Sequence, residues 1–217
     1  MNIVVLGAPA SGKGTQAQLL SEKFKLFHFQ TGELSRSLAK KDPRIKKIVD
    51  SGKLIPEEEM TMYALDYLKE NKPDLKNILF EGFPRFISQY EALEKFLELK
   101  GDGIDAVISL DISEREAVRR LSARRICENC GEIYNLITTP PPEEGKCGNC
   151  GGKLVQRADD KPESIKVRFS YYKDNTEKLI DYLDRKKKLI RIDGERPIEV
   201  IFKDILQKLK VKDARKH

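Results

Sequence analysis

Short apolar runs rich in β-branched residues alternate along the chain with longer segments in which apolar residues recur at helical spacing, as in residues 60–70. The runs that predict strands are residues 3–6, 77–80, 106–110 and 189–192. Strands that alternate with helices usually form an open parallel sheet covered by helices on both faces. The pattern therefore predicts an α/β fold.

Several helix starts carry local signals. Ser88 with Glu91, and Ser113 with Glu116, have the spacing of a capping box, in which a hydroxyl and a carboxylate satisfy free N–H groups. Prolines favour the first turn of a helix, where no N–H is needed. We expect this role for Pro56, Pro162 and Pro197.

Residues 126–156 break the alternation. This segment holds all four cysteines, three consecutive prolines and five of the fourteen glycines. We expect it to be a small inserted subdomain within a core made of residues 1–125 and 157–217. The basic end, residues 210–217, is expected to fray.

Composition narrows the class of protein. The formal net charge of +6 suits an anionic ligand, but it would equally suit a nucleic acid. No apolar stretch reaches membrane-spanning length, and no secretory leader is recognisable. We therefore expect a cytoplasmic protein without a membrane partner.

A glycine-rich loop follows the first predicted strand and leads into a helical segment at residues 16–23. Polyphosphates bind where backbone N–H groups, a helix N-terminus and a lysine converge, and this context supplies all three. Gly14 replaces the Ser or Thr that usually contacts Mg²⁺ in such loops, so we expect Thr15, waters and a distant carboxylate to hold the ion. The loop residues are Gly7, Ala8, Pro9, Ala10, Ser11, Gly12, Lys13, Gly14 and Thr15.

The four cysteines form two Cys-x2-Cys pairs separated by sixteen residues. This spacing is typical of a structural zinc site, in which four thiolates close the coordination shell and leave no position for chemistry. The predicted ligands of Zn²⁺ are Cys127, Cys130, Cys147 and Cys150.

The loop and the segments that follow it closely resemble the adenylate kinase family, in its long-lid, zinc-containing type. The resemblance implies a P-loop NTPase-type core and the reversible reaction ATP + AMP = 2 ADP, which balances adenine nucleotides. The matching segments recur in family order over nearly the whole chain. They are residues 7–16, 31–36, 52–56, 81–85 with Gln89, 123–125, 157–160 and 193–194.

The resemblance assigns nucleotide contacts. ATP is expected to bind the loop, residues 7–15, together with Arg120, Arg124, Tyr134 and Arg196. AMP is expected to bind around the helical segment 30–60, with Arg36 and Arg85 on its phosphate. The full expected AMP set is Thr31, Gly32, Arg36, Lys53, Leu54, Ile55, Gly82, Arg85, Gln89, Arg157 and Arg168.

Phosphoryl transfer between two nucleotides concentrates negative charge, so positioning and cations should carry catalysis. The expected catalytic residues are Lys13, Arg85, Arg120, Arg124, Arg157 and Arg168. Arg120 and Arg124 are four residues apart and are predicted to share one face of a helix. The resemblance implies that residues 126–156 form a lid over the triphosphate, and that Asp159 and Asp160 support its closure.

No general base is required, because an AMP phosphate oxygen is already anionic at neutral pH. His28 and His217 are accordingly expected to be bystanders. Glu81 follows a predicted strand and is expected to hold Mg²⁺ through water. The chain departs from the family pattern at Ala10, usually Gly, at Glu81, usually Asp, and at Asn135, often His.

Three alternatives stay open at this point. A zinc-ribbon nucleic-acid binder would explain the cysteines and the charge, but would leave the phosphate loop without a role. A GTPase is suggested by Asn71-Lys-Pro-Asp74, although this tetrapeptide also reads as a helix end. The closest alternative is a kinase that uses GTP as donor, has broad donor specificity or accepts another monophosphate. No nucleic acid and no obligatory protein partner are expected.

Overall fold

The structure, a computed structural model, describes residues 1–214, with side chains as far as Lys210. Within these residues the strands are β1 (Ile3–Gly7), β2 (Phe27–Gln30), β3 (Ile78–Glu81), β4 (Ala106–Asp111), β5 (Arg124–Cys127), β6 (Ile133–Asn135), β7 (Leu154–Val155) and β8 (Leu189–Asp193). The α-helices are α1 (Lys13–Phe24), α2 (Thr31–Lys41), α3 (Pro43–Asp50), α4 (Glu57–Asn71), α5 (Ile87–Glu98), α6 (Glu114–Ser122), α7 (Pro162–Tyr171), α8 (Glu177–Arg185) and α9 (Ile198–Ala214).

The main sheet is parallel and has the order β2-β3-β1-β4-β8. All four predicted strands are confirmed, and each ends one residue later than its pattern indicated. The strand β2 was missed, because Phe27–Gln30 is short and half-buried rather than continuously apolar. The predicted α/β class is confirmed.

Helices cover both faces of this sheet, as the side chains of β1 illustrate. Val4 and Leu6 pack into a cluster with Leu68, while Ile3 and Val5 pack into another with Leu20. Since both faces are buried, every residue of β1 can be apolar, which is why the strand reads as one hydrophobic run.

The segment 126–156 carries most of a second, antiparallel sheet with the order β6-β5-β7. β5 begins before this segment, at Arg124, directly after α6 ends at Ser122. The prediction that Arg120 and Arg124 share a helix face is therefore wrong. The chain turns at Ala123 and pairs Arg124 with Asn135 across the small sheet.

The helix-start predictions are partly confirmed. Ser113 caps α6, and its hydroxyl accepts the Glu116 N–H at 3.3 Å. Ser88 instead lies inside α5 and donates to Glu57, so its predicted capping role is wrong. α5 has no side-chain cap, although Gln89 Oε1 accepts the N–H of Arg85, just before the helix, at 2.9 Å.

The three prolines predicted for first helical turns lie at different positions relative to their helices. Pro162 opens α7 as predicted, whereas Pro56 and Pro197 each precede their helices by one residue. The basic end predicted to fray begins inside α9, which continues to Ala214, and residues 215–217, including His217, lie outside the described residues. Among the described helices, none combines the length and the apolar character needed to cross a membrane.

The segment Asn71–Asp74, which suggested a GTPase, ends α4 and precedes β3. Lys72 Nζ pairs with Asp74 at 2.8 Å. The segment lies at the amino end of β3, whereas ligands of parallel α/β sheets bind at the carboxyl ends of strands. This position favours an ordinary helix stop over guanine recognition.

Candidate active site

The phosphate loop joins the carboxyl end of β1 to the N-terminus of α1. Gly12 adopts φ 90° and caps α1, whose first turn contains no acidic residue. The first N–H groups of a helix have no partner within it, and they carry partial positive charge. A built Cβ at Gly7 would lie 2.5 Å from the Leu110 carbonyl oxygen, so only glycine fits there. The loop is therefore built to receive an anion.

Lys13 is the first residue of α1, and its side chain reaches back to the start of the loop. Its Nζ donates to the carbonyl oxygens of Gly7 at 2.8 Å and of Ala8 at 2.6 Å. Burial of the ammonium group, reinforced by nearby arginines such as Arg85, lowers the pKa of Lys13 to about 7, although the Glu81 carboxylate opposes that shift. The loop carbonyls thus hold the lysine beside the position where a phosphate would bind.

Residues after β3 form the opposite side of the site. Arg85 Nε donates to the Gly82 carbonyl oxygen at 2.7 Å, and burial lowers the pKa of this guanidinium. Gly82 has φ 76°, and a Cβ there would lie 2.6 Å from Thr31 Oγ1. Gln89 is buried, and its Nε2 donates to the Glu57 carbonyl oxygen at 3.2 Å. Close packing thus fixes these groups.

Three arginines and two aspartates form a charge cluster beside the lid. Asp160 is fully buried and accepts hydrogen bonds from Arg124 and from Arg168, the latter at 2.8 Å. Asp159 pairs with Arg157 at 2.9 Å and with Arg168 at 2.9 Å. Three cations facing two anions leave an excess of positive charge that a polyphosphate would neutralise.

Arg120 projects from α6 towards the loop that follows β8. Its Nε donates to Glu116 Oε1 at 2.7 Å, and its Nη1 donates to the Gly194 carbonyl oxygen at 3.0 Å. Hydrogen bonds from Arg119, opposed by partial burial and reinforced by those from Arg120, lower the pKa of Glu116 to about 2. The carboxylate therefore stays ionised and orients Arg120.

The groups described above line one cleft of about 1150 Å³. Of the nucleotide-binding residues predicted from the sequence, all but Ala8 line it. Ala8 contributes through its carbonyl oxygen, which accepts from Lys13. The lining members of the predicted set are Gly7, Pro9, Ala10, Ser11, Gly12, Lys13, Gly14, Thr15, Thr31, Gly32, Arg36, Lys53, Leu54, Ile55, Gly82, Arg85, Gln89, Arg120, Arg124, Tyr134, Arg157, Arg168 and Arg196.

Glu81 faces the phosphate loop from the end of β3. A Cβ built on Gly14 would lie 3.5 Å from Glu81 Oε1, so the carboxylate lies against the start of α1. Burial would raise its pKa, but a hydrogen bond from His28 and the charges of Lys13 and Arg85 hold the pKa below its usual range. An ionised carboxylate beside a phosphate loop fits the oxygen ligands that Mg²⁺ prefers.

The four cysteines predicted to bind zinc lie together in the lid. All four Sγ atoms are within 4.8 Å of one another, and Cys127 and Cys150 are 3.4 Å apart. A tetrahedral Zn²⁺ with bonds of about 2.3 Å would place its sulfur ligands about 3.8 Å apart. The cluster is therefore compatible with zinc. Tyr134 lies against it, with its Oη 3.6 Å from Cys147 Sγ.

Comparison with known proteins agrees with this geometry. A family model described as adenylate kinase matches residues 5–188. An adenylate kinase of Archaeoglobus fulgidus is 42% identical over 97% of this chain and 100% of its own length. Those of Caldicellulosiruptor bescii and Methanothrix thermoacetophila are 41% and 42% identical, over 96% and 94% of this chain and 99% and 96% of their own lengths.

The chain belongs to the adenylate kinase family. This membership confirms the predicted family and supports the activity of a nucleoside monophosphate kinase, ATP + AMP = 2 ADP. ATP, AMP and ADP are accordingly its substrates and products. Adenylate kinases use Mg²⁺ with the nucleotide, and the cysteine cluster fits the zinc-containing lid type.

The departures from the family pattern have structural consequences. Ala10 adopts φ 59°, the left-handed conformation that glycine tolerates better, so this loop carries some backbone strain. Asn135 Nδ2 donates to the Arg120 carbonyl oxygen at 2.8 Å, and its Oδ1 accepts two N–H groups of the following turn. This side chain therefore joins the lid to the end of α6.

His28, which was expected to be a bystander, lines the cleft. Its Nε2 lies 3.1 Å from Glu81 Oε2, and its Nδ1 lies 3.3 Å from Gln30 Nε2. In the sequence, Phe27 and Phe29 alternate with the polar residues His28 and Gln30, a pattern that predicts a half-buried strand. Recognising that strand would have placed His28 and Gln30 on one face.

Proposed function

We propose that the adenylate kinase reaction takes place in this cleft by positioning and charge stabilisation. The observation that carries the proposal is that the phosphate loop and the arginines on the opposite side line one cavity. Lys13 and backbone N–H groups of the phosphate loop hold the ATP phosphates. Arg36 and Arg85 align the AMP phosphate, so that the two reacting groups are in line.

The remaining arginines act on the transferring group. Arg120, Arg124, Arg157 and Arg168 supply fixed positive charge where negative charge concentrates. Their hydrogen bonds to carboxylates and carbonyl oxygens support this role, because they orient the guanidinium groups before substrate binds. An AMP phosphate oxygen is already anionic at neutral pH, so the mechanism needs no general base.

The nucleosides occupy the two ends of the cleft. On the ATP side, Tyr134 and Arg196 lie near the donor. On the AMP side the pocket is formed by Thr31, Gly32, Lys53, Leu54, Ile55, Gly82 and Gln89. The chemistry of this pocket supports recognition of a purine monophosphate, and a donor other than ATP, such as GTP, is the alternative.

Metal ions have separate roles. Mg²⁺ would be held near Glu81 through water and by Thr15, and it neutralises phosphate charge. Zn²⁺ on Cys127, Cys130, Cys147 and Cys150 would stabilise the lid and take no part in chemistry, since four thiolates complete its shell.

The chain divides by function. The core is residues 1–125 and 157–217, in which residues 30–60 receive the monophosphate, and residues 126–156 are the lid. Four clustered cysteines suit a reducing compartment, which supports a cytoplasmic location. The proposed partners are nucleotides alone, without nucleic acid, membrane or an obligatory protein.

A panel of nucleotide pairs tests the proposed specificity. ADP should appear from ATP plus AMP, and replacing AMP by another monophosphate, or ATP by GTP, should lower kcat/KM. Equal rates with GTP would select the alternative donor. Salt-sensitive retention of DNA or RNA in a gel shift, without phosphoryl transfer, would contradict the reaction itself.

Two substitutions test the residue assignments. Lys13→Ala and Arg85→Ala should each reduce kcat by about 100- to 1000-fold, the range found for lost transition-state donors. Lys178→Ala and Arg185→Ala are matched controls, because both residues are exposed on α8 and lie outside the cleft. Near-normal turnover in either test variant would refute its assignment.

A further inference from the structure

His28, which contacts the Glu81 carboxylate, lies on the neighbouring strand β2. β2 and β3 are parallel, with Gln30 paired to Glu81 and His28 paired to Leu79. Side chains two residues apart on a strand lie on the same face, and paired residues share a face, so His28, Gln30 and Glu81 all lie on one face of the sheet. The pairing of two strands therefore brings these three residues together.

The hydrogen bonds among the three residues set the imidazole's tautomer. Gln30 Nε2 lies 3.3 Å from His28 Nδ1, and an amide nitrogen can only donate. Nδ1 is then the acceptor, and the neutral ring carries its hydrogen on Nε2. That hydrogen points to Glu81 Oε2, 3.1 Å away. The chain of donors thus runs from Gln30 through His28 to the carboxylate.

A glutamate at this position needs such an anchor more than an aspartate does. Its side chain has one more rotatable bond, and restricting a long side chain costs conformational entropy. The side chains of His28 and Glu81 are only 16% and 20% exposed, so their hydrogen bond is shielded from water. The contact holds the carboxylate against the start of α1 before any ligand arrives.

We propose that His28, oriented by Gln30, is a positioning residue that holds the Glu81 carboxylate in place for the magnesium ion of the bound nucleotide. His28 acts through Glu81 and does not contact the nucleotide phosphates. This inference rests on the proposed role of Glu81. Partners that orient a metal ligand typically contribute about 10- to 100-fold to metal affinity, and one hydrogen bond to a water-mediated ligand belongs at the lower end.

The test measures how much Mg²⁺ strengthens binding of a bisubstrate mimic, two adenosines joined by a polyphosphate chain. Calorimetry with Mg²⁺ and in a magnesium-free buffer without chelator, which leaves the zinc in place, gives two dissociation constants, and their ratio is the magnesium-dependent gain. His28→Leu should reduce this gain about tenfold and leave the metal-free dissociation constant unchanged. His28→Gln, whose amide can donate near the Nε2 position, should recover most of the gain.

A double-mutant cycle separates positioning from a general structural effect. In a Glu81→Asp background the shorter carboxylate no longer reaches His28, so His28→Leu should have no further effect on the gain. The inference is overturned if His28→Leu leaves the magnesium-dependent gain unchanged, or if it reduces this gain equally in the parent protein and in the Glu81→Asp variant. A loss of metal-free binding together with a lowered Tm would also overturn it, since that outcome indicates only a packing role.

The same measurement on Glu81→Gln keeps the two proposals distinguishable. If Glu81→Gln removes the gain and His28→Leu does not, the role of His28 is wrong while that of Glu81 stands. If Glu81→Gln leaves the gain intact, the magnesium role of Glu81 is wrong, and the role of His28 falls with it.

Discussion

Asp160 is the carboxylate on which the charge cluster beside the lid most depends. It is fully buried, and both of its oxygens accept hydrogen bonds, from Arg124 and from Arg168. Asp160→Asn keeps the shape of the side chain and removes its charge. Two guanidinium groups then lose their shared counter-ion, while Arg168 keeps Asp159.

The expected cost follows from the burial of this cluster. Breaking a buried ion pair by neutralising one partner costs about 3–5 kcal/mol. The side chains of Arg124 and Arg168 retain 14% and 19% exposure to the cleft, and water there screens part of the loss. We therefore expect about 3 kcal/mol. At about 2–4 °C per kcal/mol for a chain of this size, Tm should fall by about 6–12 °C.

Thermal and urea denaturation of the nucleotide-free protein would measure this loss, with an unchanged m-value as the check on two-state unfolding. Glu114→Gln is the matched control. Glu114 pairs with Lys173 at 2.7 Å, but both side chains are more than half exposed. Neutralising such an exposed pair should cost less than about 1 kcal/mol.

A bound polyphosphate changes the expected difference. Phosphate oxygens supply negative charge to the same arginines, so the bisubstrate mimic should raise Tm more in Asp160→Asn than in the parent protein. The difference in Tm between the two proteins should then become smaller. A ligand-free Asp160→Asn as stable as Glu114→Gln would refute the reasoning, as would a gap that the mimic leaves unchanged.

Three further outcomes are expected. Because the pKa of Lys13 is about 7 in the free protein and phosphate favours its charged form, ATP binding at pH 8 should take up a proton, seen by calorimetry in buffers of different ionisation enthalpy. Lys13→Met should lack this uptake, and uptake that persists would contradict the pKa argument. Cys130→Ser should have a large effect on thermal stability, seen as a lower Tm, and a smaller effect on turnover at room temperature. Metal analysis that finds no zinc in the parent protein would contradict the zinc assignment. Gly82→Ala should raise KM for AMP, because its Cβ would meet Thr31 Oγ1 at 2.6 Å; an unchanged KM would show that the loop can shift.

Features that depend on near neighbours along the chain were predictable from the sequence. The phosphate loop needs glycines, a lysine and a helix start within nine residues, and the zinc site needs cysteines at short spacing. Three of the four predicted strands, β1, β3 and β4, were recognisable because both of their faces are buried, while β8 was recognisable from its apolar residues although Arg191 is exposed. In each case the physical constraint acts on residues that are close together in the sequence, so the sequence pattern shows it.

Tertiary structure decided which distant groups meet. Arg124 became a strand residue because it pairs with Asn135, and no local pattern indicated that. Asp160 acquired two arginine partners, and His28 met Glu81, only when separate segments packed side by side. The strength of these interactions depends on burial and on distances between residues far apart in the chain. Those quantities exist only in the folded protein, where polar residues from separate segments come together to line one cleft.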